Sequence, residues 1–83
     1  MSSIWVTIPT VGTWPSASEL STRNAVTDAL NATGIGTCTG AGGGMGEMDF
    51  SFRIEDEKAA RSAIETVMQS LMPGVRYHIR LAE

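Results

Sequence analysis

The sequence has little cysteine, little positive charge and no long apolar run, and each absence excludes a class of protein. Its single cysteine, Cys38, excludes a disulfide within the chain. No apolar run approaches the ~20 residues of a membrane-spanning helix, so no membrane partner is expected. Six Lys and Arg residues against nine Asp and Glu residues give a net charge of −3, without the basic surface that phosphate-backbone binding requires. Nucleic acid is therefore not an expected partner.

Length and composition indicate one small globular domain. The 83 residues, with 42% apolar and 18% charged side chains, predict a single domain over residues 1–83. A chain this short buries only about 60 to 65% of its unfolded surface, so its core must be economical. The opening residues Met1–Trp5 have neither the basic segment nor the apolar segment of a secretory signal, and this predicts a cytoplasmic location.

Glycine is abundant, and it is concentrated in one stretch. Seven of the nine glycines fall between Gly34 and Gly46. Directly after them, large apolar residues alternate with polar ones up to Ile54, which is the period of a strand with one buried face. We therefore predict a hairpin with a glycine tip, in which strand 2 spans roughly residues 35–41 and strand 3 roughly residues 45–54.

Strand 1 and helix 1 are predicted before this hairpin. Residues 3–8 alternate between apolar and polar side chains, and Pro9 stops the strand. Ser16 and Glu19 match a capping box, in which the serine caps the helix and the glutamate reaches back to it. Helix 1 then continues to about Thr33.

Helix 2 and strand 4 are predicted after the hairpin. Asp56 is the expected cap of helix 2, whose apolar residues recur every three and four positions between Ala60 and Leu71. Pro73 and the following glycine end this helix. Apolar residues then alternate with Arg76, His78 and Arg80 in a strand over residues 75–81.

The resulting order, βαββαβ, resembles the ferredoxin-like superfold across the whole chain. The resemblance implies an α+β fold, with a four-stranded antiparallel sheet in the order 4-1-3-2 and both helices on one face. Many functions share this fold, so it names none of them. Acylphosphatases have the same topology, but the loop Pro9–Pro15 holds no charged residue in place of their catalytic arginine.

The sheet face away from the helices is the first candidate site. Strand 4 offers basic side chains there, strand 3 offers mainly acidic ones, and a tryptophan on strand 1 lies between them. One interpretation is a solvated face with cross-strand charge pairs and an arginine lying on the tryptophan. The other is a protein interface, including a two-fold homodimer that sets basic on acidic strands. RNA stacking is disfavoured, because strand 3 offers carboxylates. The candidate residues are Trp5, Thr7, Glu47, Asp49, Arg53, Arg76, His78 and Arg80.

The glycine-rich end of the molecule is the second candidate site. Strands 1 and 2 are expected to run the same way, so the loop after strand 1, the start of helix 1 and the glycine tip should be neighbours. We also expect strand 4 to reach this end with its C-terminal residues. Bare backbone N–H groups and a helix N-terminus can hold an anion or a small polar ligand. Alternatively, the glycines only allow a tight, bulged hairpin or a close approach. The candidate residues are Thr10, Gly12, Thr13, Trp14, Ser16, Gly40, Gly42, Gly43 and Gly44.

No catalytic or metal-binding set is evident in the sequence, and no cofactor is expected. Cys38 and His78 belong to opposite edge strands, roughly 14 Å apart at ~4.8 Å per strand spacing, so they cannot act as a nucleophile and base. The sequence therefore predicts a non-catalytic module that binds another protein, as an inhibitor, immunity-type or adaptor protein would. The acidic balance favours a basic partner. The alternative is a sensor or sequestering protein for a small ligand at the glycine tip.

Overall fold

The computed structural model describes residues 2–82, which form a four-stranded antiparallel sheet and two helices. The sheet order is β2-β3-β1-β4, which is 4-1-3-2 when read from the other edge. The α+β class is confirmed, and the arrangement is compatible with a ferredoxin-like fold. The elements are β1 (Ser2–Pro9), α1 (Ala17–Thr33), β2 (Gly36–Gly44), β3 (Glu47–Ile54), α2 (Glu57–Leu71) and β4 (His78–Ala82).

The two central strands, β1 and β3, supply the sheet side of the core. Their register pairs Val6 with Phe50 and Ile8 with Met48, and all four side chains are fully buried. This confirms the alternation predicted from residue 47 onward, because a period of two places every second side chain on the same face.

Both helices contribute to the same core cluster. Val26 and Leu30 of α1 lie in it together with Ile64 and Met68 of α2. The apolar periodicity of α2 is therefore confirmed as a buried stripe. Neither helix within residues 2–82 has both the length and the apolar character needed to span a bilayer.

The predicted helix caps are present. The Ser16 hydroxyl accepts a hydrogen bond from the Glu19 amide at 3.1 Å, and the Glu19 carboxylate accepts one from the Ser16 amide at 2.8 Å. Gly34 ends α1 in the left-handed conformation, with φ of 75°. Asp56 caps α2 by accepting from the Ala59 amide at 3.1 Å. Each cap satisfies a backbone group that the helix itself leaves unpaired.

The hairpin differs in detail from the prediction. β2 extends to Gly44, so most of the glycines lie within the strand and the turn consists of Met45 and Gly46. Both turn residues have positive φ, as a tight two-residue hairpin requires. Strand 2 is therefore longer than expected, and strand 3 begins later, at Glu47.

Strand 4 is shorter than predicted and ends at the other end of the sheet. β4 begins at His78 rather than at residue 75, so Arg76 lies in the segment that precedes it. β4 is antiparallel to β1, with His78 opposite Thr7 and Ala82 opposite Ser3. The expectation that its C-terminal residues reach the glycine end is wrong, because a strand antiparallel to β1 begins where β1 ends.

Candidate functional site

The register brings the predicted partner-binding residues together around β1. Trp5 lies opposite Arg80 of β4 on one side and Ser51 of β3 on the other. Thr7 lies in the same way between His78 and Asp49. The remaining residues of this set lie close by: Glu47 is paired with Pro9, Arg53 is paired with Ser3, and Arg76 precedes β4. We call this set the open-face site.

An arginine lies over the central tryptophan, as one interpretation of the sequence predicted. The guanidinium carbon of Arg80 is 6.0 Å from the centroid of the Trp5 ring. Trp5 is half-buried and Arg80 is exposed. At an exposed site such a contact contributes about 0.5 to 1 kcal/mol.

The cross-strand charge pairs of that interpretation do not form. Between residues 2 and 82 the one salt bridge joins Arg61 and Glu57 on α2, at 2.7 Å. Glu47, Arg76 and His78 instead line a concavity of about 260 Å³ together with Thr7 and Pro9. The open-face site thus presents charges of both signs that the described chain leaves without an ionic partner.

Ser51 is the polar residue that the open face buries. It is 2% exposed, and its hydroxyl is 2.8 Å from that of Thr39 on β2. A β-bulge between Cys38 and Gly40 leaves Thr39 outside the paired register. Because of the bulge, Ala41 rather than Gly40 lies opposite Phe50. A bulged hairpin was one interpretation of the glycines, but the sequence pattern did not predict the position of the bulge, because a glycine-rich strand has no alternation to interrupt.

The loop after β1 lies against the hairpin turn, as predicted for the glycine-rich end. The Thr10 amide donates to the Gly46 carbonyl at 2.9 Å, and the Gly46 amide donates to the Thr13 carbonyl at 2.8 Å. These two bonds hold the loop and the turn together as one backbone unit.

The glycines next to the turn make room for side chains of that loop. A Cβ atom at Gly43 would lie 2.6 Å from Cγ of Pro15, and one at Gly44 would lie 2.7 Å from the Trp14 ring. Real Cβ atoms do not approach other atoms so closely, so a side chain at either position would require Pro15 or Trp14 to shift. This geometry favours the interpretation in which the glycines serve a close approach.

The start of α1 is occupied by the chain's own carboxylate. Glu19 accepts from the amides of Ser16 at 2.8 Å and of Val11 at 3.1 Å. These backbone hydrogen bonds, that of Ser16 first and that of Val11 second, hold the pKa of Glu19 below its ordinary value. In addition, the Thr10 hydroxyl donates to the Gly12 carbonyl. These groups are satisfied within the chain, which disfavours an external anion at this position.

Arg23 is a residue of this end that the sequence reasoning missed. Its guanidinium donates to the carbonyl of Gly42 at 2.9 Å and so joins α1 to the glycine strand. A second nitrogen donates to the side chain of Asn24 at 3.3 Å. The sequence offered one indication of this role. Arg23 lies three residues after Leu20 and three before Val26, and this spacing places it on the buried side of α1.

The predicted separation of the thiol and the imidazole is confirmed, since Cys38 and His78 lie on the two edge strands β2 and β4. Among residues 2–82, no three or more His, Cys, Asp or Glu residues are grouped so that they could hold a metal ion. No protein-family model matches the chain, and no curated protein matches it either. The function must therefore be inferred from the site itself.

Proposed function

We propose that this protein is a non-catalytic module that binds another protein, as an inhibitor, immunity-type or adaptor protein does. Binding would use the open-face site and the neighbouring glycine-rich hairpin. The observation that supports this most strongly is the group of exposed charges around Trp5 that have no ionic partner in the described chain. Charges that the fold does not pair are free to pair with a second molecule.

We further infer that both helices cover one face of the sheet, as in ferredoxin-like proteins. The buried apolar residues of β1 and β3 all belong to one alternation, and the same cluster contains residues of α1 and α2. Trp5, Thr7 and Arg80 belong to the opposite alternation. In this arrangement no helix covers the open-face site.

The residue types of the site suit a protein interface. Tryptophan and arginine are enriched among residues that dominate binding energies, because they combine large apolar area with directional polar groups. Arg76 and Arg80 require acidic groups on the partner, whereas Glu47 and Asp49 require basic ones. The net charge of −3 would steer the protein toward a partner that is basic overall. A cytoplasmic location is part of the same proposal.

This function can be tested by comparing which proteins the wild type and its variants capture. The wild-type protein and the variants Trp5→Ala and Arg76→Glu would each be used to capture proteins from a lysate of the source organism. We expect the wild type to retain a protein that both variants lose. Lys58→Glu, a charge reversal at an exposed position of α2, is the matched control and should retain it.

Two results would count against this proposal. Equal capture by Arg76→Glu and by wild type would exclude the open-face site as the interface. A concentration-dependent dimer in size-exclusion chromatography that Arg76→Glu dissociates would instead assign the site to a homodimer. The hydrogen bonds and close contacts described at the glycine tip are made within the chain, and this disfavours a small-ligand site there.

A further inference from the structure

Three large apolar side chains project into solvent at the glycine-rich end. Val11 is 100% exposed, Met45 is 88% exposed and Trp14 is 71% exposed. They lie on the loop after β1 and on the hairpin turn, which the hydrogen bonds between Thr10, Thr13 and Gly46 join together. We call Val11, Trp14 and Met45 the apolar tip. Exposed apolar residues grouped in this way mark interaction sites more often than scattered ones do.

Met45 adopts a backbone conformation that disfavours its side chain. Its φ of 56° makes it the one non-glycine residue with positive φ in the described part of the chain. A glycine in place of Met45 would remove the steric conflict, and both neighbouring residues, Gly44 and Gly46, are glycines. The methionine side chain makes the turn less stable and is almost entirely exposed to solvent. Such an outlier is explained if the side chain contacts something outside the chain.

The apolar tip is held in place before any partner binds. The Trp14 ring lies directly against the backbone of Gly44. The amide of Val11 is bound to the Glu19 carboxylate at 3.1 Å. Since the backbone is already ordered, binding through this tip loses little conformational entropy.

The charges around the apolar tip identify the kind of surface that it fits. Glu47, which follows the turn directly, is exposed, and Arg76 and His78 line the concavity beside it. The net charge of −3 of the whole chain disfavours an anionic membrane surface as the partner of this end. A second copy is a poorer fit, because the larger concavity described in the chain places Arg53, Glu55 and Asp56 beside its apolar residues Ile35, Ile54 and Ala59. A projecting apolar tip beside charges of both signs fits a concave apolar pocket whose rim carries both acidic and basic groups.

We propose that the apolar tip inserts into an apolar pocket, rimmed by acidic and basic groups, on the same partner protein that the open-face site engages. This rests on the proposed function. The two surfaces are continuous, because Glu47 both follows the turn and lines the concavity with Arg76 and His78. Met45 and Trp14 anchor the complex, and the open-face charges orient it.

Met45→Gly and Val11→Ser test this inference, with Leu71→Ser as the matched control at an exposed apolar position of α2. We expect Met45→Gly to melt at or above the temperature of the wild type, because glycine relieves the left-handed conformation. We expect both tip variants to reduce capture of the partner protein from the lysate at least tenfold, and Leu71→Ser to leave it unchanged. On addition of that captured protein, the Met45 methyl resonance should shift or broaden, whereas that of a core methionine such as Met68 should not.

The outcomes separate this inference from the proposed function. If Met45→Gly and Val11→Ser still capture the partner protein but Arg76→Glu does not, the apolar tip is not part of the interface and the proposed function stands. Capture that is lost with the tip variants but survives Arg76→Glu supports the tip and overturns the open-face site. Capture that depends on neither surface overturns both. Binding to phosphatidylcholine vesicles that Met45→Gly abolishes would also overturn the pocket, because it would assign the tip to a lipid surface.

Discussion

The two arms of the β2–β3 hairpin lie side by side, yet they stabilise the protein in opposite ways. β3 fills space with Met48, Phe50, Phe52 and Ile54, all of which are buried. β2 leaves space, and Trp14, Pro15 and Arg23 from other parts of the chain pack or bond against its glycines. Large buried residues in one arm and glycines in the other therefore stabilise the same sheet. The position of a glycine-rich strand is specified by the side chains that approach it.

Truncating the space-filling arm should have the largest effect. Phe50→Ala removes a fully buried ring that stands edge-on to Phe52, with 5.9 Å between the ring centroids. We expect the free energy of unfolding to fall by about 3 to 5 kcal/mol, measured by urea denaturation. Thr37→Ala, at an exposed position of β2, is the control and should change it by no more than about 0.5 kcal/mol. Equal losses from the two variants would contradict the contrast between the arms.

Filling the glycine arm should be the next most damaging change. At Gly36 a Cβ atom would lie 1.9 Å from the carbonyl oxygen of Arg53, which is a backbone atom and cannot rotate away. We expect Gly36→Ala to destabilise the protein by about 1 to 3 kcal/mol or more in the same assay. At Gly12 the nearest atom to an added Cβ would be 3.7 Å away, so Gly12→Ala should be tolerated. If Gly36→Ala were as stable as the wild type, β2 and β3 could accommodate a side chain at position 36 and the close contact would not be restrictive.

A smaller effect is expected from the carboxylate that holds the loop beside β2. The pKa of Glu19 is lowered by hydrogen bonds from the backbone of Ser16 and then of Val11. Its folded-state pKa thus lies below its unfolded value. The stability that it contributes is present above the unfolded pKa and is lost as the pH falls through the folded pKa.

Glu19→Gln should accordingly lower the melting temperature at neutral pH, and the difference from the wild type should shrink as the solution is acidified. Thermal melts across this range provide the measurement. A constant difference at all pH values would assign the effect of Glu19 to packing rather than to its charge. Asp56→Asn is a useful control, because it alters the cap of α2 and not the loop beside β2.

The smallest expected effect lies on the outer face of the central strands. Arg80→Ala removes the guanidinium above Trp5, and we expect a loss of about 0.5 to 1 kcal/mol. A double-mutant cycle with Trp5→Leu should recover this coupling, and the same cycle with Arg53→Ala should give none. A coupling of zero for Arg80 would show that the contact does not stabilise the fold. The outer side chains would then serve binding alone.

The sequence predicted those parts of the fold in which local signals and long-range packing agree. The alternation after residue 47, the Ser16 capping box and the Asp56 cap are all confirmed, because each depends on residues close together in the chain. The position of the bulge at Thr39 and the role of Arg23 were not predicted. Both depend on contacts of β2 with β3 and α1, and a strand in which five of the nine residues are glycine carries no alternation that would indicate them.

The candidate sites were predicted unevenly for the same reason. Strand alternation was sufficient to group the open-face residues that lie in strands, and the register confirms this for all of them. Arg76 is the exception, because it precedes β4. At the glycine end, the sequence predicted that the loop and the hairpin are neighbours, and this is also confirmed. The exposure of Val11 and Met45 could not be predicted, because it depends on where the turn falls and on how the loop closes over it.

The bulge in β2 also affects how separate molecules meet. β2 is an edge strand of nine residues. Charged side chains and prolines on edge strands prevent edge-to-edge pairing of sheets in many proteins, and β2 has neither. The irregularity between Cys38 and Gly40 interrupts the straight row of backbone groups that a foreign strand would need for continuous pairing. The bulge at Thr39 thereby limits the repeated edge-to-edge pairing of sheets that leads to fibrils.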